Sequence, residues 1–132
     1  MVRPRNEQPT PAELEVLKVL WDRGASTVRD VLDVLQAQGD NRAYTSVMSL
    51  MNVMADKGLL SRQAQGRAFL YSARESREST LGSLVGDLCR RAFQGSAKTL
   101  VTHLLEESRL SQEELDEIHR LIDSHRTGGE SK

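Results

Sequence analysis

Thr45, Ser46, Ser49 and Asn52 bring three hydroxyls and one carboxamide into a single short stretch, AYTSVMSLMNVMADKGLLSR, residues 43–62. At helical periodicity they fall, with Met48, on the side opposite Val47, Leu50, Met51 and Met54. Short hydroxyls and amides can hydrogen-bond base edges and phosphates, and a thioether can touch a thymine methyl, all within the width of a major groove. Carboxylates would be repelled there, and this stretch has none before Asp56. Thr45, Ser46 and Ser49 lie in its N-terminal part, where groove-docked helices present side chains to bases and where the helix dipole favours phosphate. Tyr44 begins the helix and joins this set. Arg42 just before it, and Arg62 and Arg67 beyond it, supply charge to neutralise phosphates and set the register. A solvated helix face with ordinary surface arginines is the competing reading.

The elements that would hold this face can be read from caps and periodicity. Thr10-Pro11-Ala12-Glu13 has the form of a capping box with Pro at the first helical position. Leu14, Leu17, Val19, Leu20 and Trp21 then supply a buried side, and Gly24 stops the helix. Ser26-Thr27 opens a second helix, with Val28, Val31, Leu32 and Leu35 at i, i+3, i+4 and i+7. The third helix is the quoted stretch, ending at Gly58. Beyond it the period changes to alternation around Gly66-Arg67, which predicts a hairpin with its tip at Gln65 to Arg67. Three helices and a hairpin in this order make a winged helix-turn-helix module over residues 10–75, preceded by a flexible arm at 1–9.

Residues 76–126 read as helical. Leu81, Leu84, Val85, Leu88, Ala92 and Phe93 form one apolar stripe, and Leu100, Val101, Leu104 and Leu105 a second. Ser111-Gln112-Glu113-Glu114 opens a helix carrying Leu115, Ile118, Leu121 and Ile122, and residues 127–132 read as a frayed tail. Three short helices bury such stripes poorly alone, so association with a second copy is the natural outlet. The fold class is thus mainly α with one small β-hairpin, an N-terminal winged helix joined to a C-terminal helical dimerisation lobe.

Composition narrows the function classes. A chain of 132 residues, 38% apolar and 4% aromatic, permits one domain or two small lobes with a core of Leu, Val and Met. Net charge is −1, yet Gly39 to Arg74 holds five cations against two anions while Ser76 to Lys132 holds eight against ten. A basic patch on one lobe of a mildly acidic chain suits a nucleic-acid face. No run approaches the ~20 apolar residues of a membrane span, and MVRPRNEQPTP lacks the apolar segment of a secretory signal, so the chain reads as cytoplasmic without membrane insertion. Cys89 has no partner for a disulfide and reads as a small buried side chain. His103, His119 and His125 lack metal-ligand spacing, and Glu113, Glu114, Asp116 and Glu117 read as a solvated helix face. With no nucleophile elbow, phosphate loop or dinucleotide fingerprint, neither enzyme chemistry, metal nor cofactor is expected.

The segment AYTSVMSLMNVMADKGLL and the wing GRAFLYSA resemble the BlaI/MecI family of bacterial repressors, as do PAELEVLKVLW at the start and LSQEELDEIHRLID at the end. The resemblance implies a homodimer whose winged helices sit on the two halves of an inverted-repeat operator in double-stranded DNA. It assigns contacts with DNA to Thr45, Ser46 and Ser49. Where the family commonly has Arg after the Asn of this helix, Val53 follows Asn52. Such repressors are relieved by proteolysis in the dimerisation lobe, triggered by a membrane-bound sensor protease, and the resemblance places the cut at His103-Leu104. A copper-responsive branch carries paired CxC motifs, which a chain with one cysteine cannot reproduce. Two other functions fit the same elements: a winged-helix regulator with a small molecule between its lobes, or a winged helix that binds protein and never DNA.

Overall fold

The computed structural model describes residues 8–130, with side chains described as far as Arg126. Its elements run α1 (Pro11–Arg23), α2 (Val28–Ala37), α3 (Tyr44–Asp56), β1 (Leu60–Gln65), β2 (Ala68–Ala73), α4 (Arg77–Ala92), α5 (Ala97–Glu107) and α6 (Gln112–Glu130). They pack as two units, Met1–Asp87 and Leu88–Lys132. The division falls within α4, whereas the sequence places a boundary at 75/76, where the hairpin ends and before α4 begins.

Both predicted caps of the first two helices form as reciprocal pairs. The Glu13 amide donates to Thr10 Oγ1 at 3.2 Å and the Thr10 amide to Glu13 Oε1 at 2.9 Å. At α2 it is Thr27 and Asp30 that exchange the two bonds, each 3.1 Å, while Ser26 is buried. The bond from the Thr27 amide holds the Asp30 carboxyl below its ordinary value, against a smaller opposing effect of burial.

The core of the first unit takes Val16, Leu17, Val19 and Leu20 from α1, Val28, Val31, Leu32 and Leu35 from α2, and Val47, Met51 and Met54 from α3. Leu60 and Tyr71 close it from the hairpin. Each such side chain contributes roughly 1.5–3 kcal/mol on burial. Leu14, Trp21 and Leu50, all expected inward, are half-buried at the edge of this core, whereas Val16, absent from the expected set, is fully buried.

Glu13 is the one buried acid among the described residues, only 2% exposed. Besides capping α1, it accepts from Lys57 Nζ at 2.9 and 3.1 Å, tying the start of α1 to the residue that ends α3. Replacing Glu13 with Ala should lower stability by roughly 2–4 kcal/mol, since cap and buried ion pair are lost together. Urea unfolding of the full chain checks this, and an unchanged midpoint would refute the role.

β1 and β2 pair antiparallel from Leu60↔Ala73 to Gln65↔Ala68. The two-residue loop between them starts with Gly66 at φ +62°, a left-handed value that a primed hairpin turn needs and that glycine adopts without strain. Ser26 adds a single bridge to the outer edge of β2, its amide donating to the Tyr71 carbonyl at 2.9 Å and receiving the Tyr71 amide on its own carbonyl at 2.8 Å. At the end of the hairpin, the Trp21 indole donates to the Glu75 carbonyl at 3.0 Å, and Arg77 pairs with Asp22.

In the second unit, Ser96 caps α5 by accepting from the Thr99 amide at 3.1 Å. Ser111 and Glu114 form a reciprocal capping box at 3.0 Å each, as the sequence predicts. Among the described residues of α4, α5 and α6 none is buried, and Cys89, expected buried, is half-exposed. α6 continues through Glu130 into the segment expected to fray; residues 131–132 of that tail and residues 1–7 of the expected arm lie outside the described residues. No helix among the described residues is long and apolar enough to cross a membrane.

Candidate nucleic-acid interface

α3 turns two chemically different sides outward and inward. Val47, Met51 and Met54 are buried, while Tyr44, Thr45, Ser46, Met48 and Ser49 are exposed, and the first acid is Asp56 at its last position. Unlike α1 and α2, α3 has no side-chain cap, since Ala43 stands at that position. Its first turn therefore presents amides and hydroxyls with no carboxylate beside them.

The arginines are placed around this face in three ways. Arg42, half-buried, pairs through Nε with Asp40 Oδ2 at 3.1 Å, a partly solvated pair of about 0–1 kcal/mol that a phosphate could displace. Arg67 is exposed at the hairpin tip. Arg62 turns back toward α3, with its guanidinium over the Phe69 ring at 5.3 Å and its Nη1 donating to Asn52 Oδ1 at 2.9 Å.

Asn52 departs from expectation. Its spacing places it outward with Ser49, yet it is half-buried and its oxygen is engaged by both Arg62 and the Tyr71 hydroxyl. Between α3 and the hairpin lies an open groove of about 360 Å³, with Tyr44, Met48 and Asn52 on one wall and Arg67, Phe69 and Tyr71 on the other. Arg29 from α2 reaches its edge and sits over the Tyr44 ring at 5.0 Å. Arg29 and Phe69 belong to the same surface but were not among the expected residues. Phe69 had a usable signal as an aromatic in an exposed strand position, two residues from Tyr71. Arg29 had none, because its place depends on how α2 packs.

The residues expected to associate two chains are apolar and open. Leu81, Val85, Leu88, Leu104, Leu105, Leu115, Leu121 and Ile122 are exposed, and Leu84, Leu100 and Ile118 are half-buried. His103, expected beside a scissile bond, lies within α5 with its ring 5.3 Å from that of Phe93. Val53, where the resembling family commonly has Arg, is exposed.

The family model described as penicillinase repressor matches residues 9–124. The penicillinase repressor of Bacillus licheniformis is 24% identical over 119 residues, covering 90% of this chain and 92% of that protein. The transcriptional regulator BlaI of Mycobacterium tuberculosis is 31% identical over 112 residues, covering 83% of this chain and 79% of its own. The methicillin resistance regulatory protein MecI of Staphylococcus aureus is 22% identical over 111 residues, covering 84% and 89%. Among solved structures, the DNA-binding domain of the repressor BlaI aligns with 58% of this chain and 90% of its own at a TM-score of 0.50 and 24% identity, which shows a shared fold. A match of this extent, from the first cap to the last helix, shows that the chain belongs to the penicillinase repressor family.

Proposed function

We propose that this protein is a transcriptional repressor that binds an inverted-repeat operator as a homodimer, with α3 in the major groove and the β1–β2 hairpin as its wing. The observation that carries the reading is the exposed side of α3: Thr45, Ser46, Met48 and Ser49 together, with no acid among them, flanked by Arg42 and Arg67. The family relatives named as repressors and regulators support it. The open apolar side chains of α4, α5 and α6 support assigning residues 76–126 to association between chains.

Relief by proteolysis at His103-Leu104, triggered by a membrane sensor protease, belongs to the same proposal. That bond lies inside α5, where the Ser108 amide donates to the Leu104 carbonyl at 3.0 Å. A protease would reach it through local opening of α5, a helix with no buried residue to resist opening.

Titrating salt in a DNA shift assay tests the central claim. With Arg42 and Arg67 from each of two chains on phosphates, the log–log slope of affinity against salt should be about −4. An inverted repeat should bind more tightly than a single half-site. A protein that binds only other proteins would give neither result.

A further inference from the structure

We propose that Asn52 is a positioning residue that latches the wing to α3, and that it does not read a base; the proposal rests on the DNA-binding reading above. Its Oδ1 accepts from the Tyr71 hydroxyl at 2.8 Å and from Arg62 Nη1 at 2.9 Å. Arginine can only donate, so the atom facing it is the carboxamide oxygen. Two donors use both lone pairs of that oxygen. The bidentate contact by which an asparagine recognises adenine needs the acceptor and the donor of one amide together, so it is closed to Asn52 in this arrangement.

The two donors are themselves direct cross-strand partners, Arg62 on β1 opposite Tyr71 on β2. One amide oxygen therefore holds both strands of the hairpin. Tyr71 is fixed at its other end as well: it is 2% exposed, and its main chain is bridged to Ser26 between α1 and α2. The Phe69 ring meets that of Tyr71 edge-on at 6.3 Å and carries the Arg62 guanidinium on its face. The latch thus sets the width of the groove between α3 and the hairpin, and with it the distance from the bases under Ser49 to the phosphates near Arg67.

The Tyr71 hydroxyl is buried against α3, so Tyr71→Phe changes the latch without touching DNA. Tyr71→Phe and Asn52→Ala, made in the full chain, should each weaken operator binding roughly fivefold or somewhat more, since the first removes one hydrogen bond of the latch and the second both. The loss should be the same for operators carrying any single base-pair change. The double variant should be little worse than either single one, because the residues act as one unit. Without DNA, both variants should show faster amide exchange in β1 and β2, and Asn52→Asp, which keeps the acceptor oxygen, should restore that protection. The proposal is overturned if Asn52→Ala changes preference at one base pair while Tyr71→Phe binds like wild type, or if the two losses multiply, or if hairpin exchange is unchanged in both. Should wild type bind no DNA, the repressor reading fails while hairpin exchange still decides the latch.

Discussion

Replacing Ser49 with Glu should abolish operator binding, by ~100-fold or more, because a carboxylate set against phosphates and base edges costs several kcal/mol. Ser49 stands one turn beyond Thr45 and Ser46 on the exposed side of α3, on the same run as Met48. The side chain is exposed and makes no contribution to the core of Val47, Met51 and Met54, so the fold should tolerate Glu there. Ser49→Ala separates charge from hydrogen bonding: it should lose far less, roughly fivefold, the effect of one hydrogen bond. A shift assay with all three proteins, run beside sedimentation to show an unchanged assembly, decides the matter. Equal binding by wild type and Ser49→Glu would remove the groove contact from the account.

An aspartate at Leu121 should break the pairing of chains and lower operator affinity as a consequence. Leu121 is 60% exposed in a single chain and Leu104 53%, more open than any other large apolar side chain described in the second unit, the next being Ile122 at 50%. Covering such groups contributes roughly 25 cal/mol per Å² removed from water, and an unpaired carboxylate in their place would cost several kcal/mol. Leu121→Asp, or Leu104→Asp, should therefore raise the dissociation constant of the dimer by ~100-fold or more. Sedimentation across a range of concentrations reads it directly, and an unchanged dimer in both variants would relocate the contact between chains.

Local signals in the sequence proved legible wherever one turn of chain determines them. The Thr10–Glu13 and Ser111–Glu114 boxes form as their spacing requires, and the Gly66 turn gives the hairpin its tip. Periodicity likewise set α3 with Val47 and Met54 inward and Ser46 and Ser49 outward. What it could not convey was anything depending on two distant segments. Glu13 and Lys57 meet across 44 positions, and the Tyr71 hydroxyl reaches Asn52 across 19. For that reason Asn52 read as part of the outward set, although a neighbouring strand had already claimed its oxygen. Where Leu14 is half-buried and Val16 fully so, helical spacing gave the correct side but not the edge of the stripe, which the packing of α2 and β2 determines.

The unburied side chains of the second unit bear on how sharply a gene under this control would switch. If occupancy of an operator requires a pair, and each subunit is incomplete alone, then at dilution the active species scales with the square of the subunit supply. A modest drop in synthesis, or the clipping of a fraction of the molecules, would then empty the promoter out of proportion to the material lost. Sensitivity of that kind would need no effector pocket: under the proposed pairing it would follow from leucines such as Leu121, which stand uncovered in the single chain.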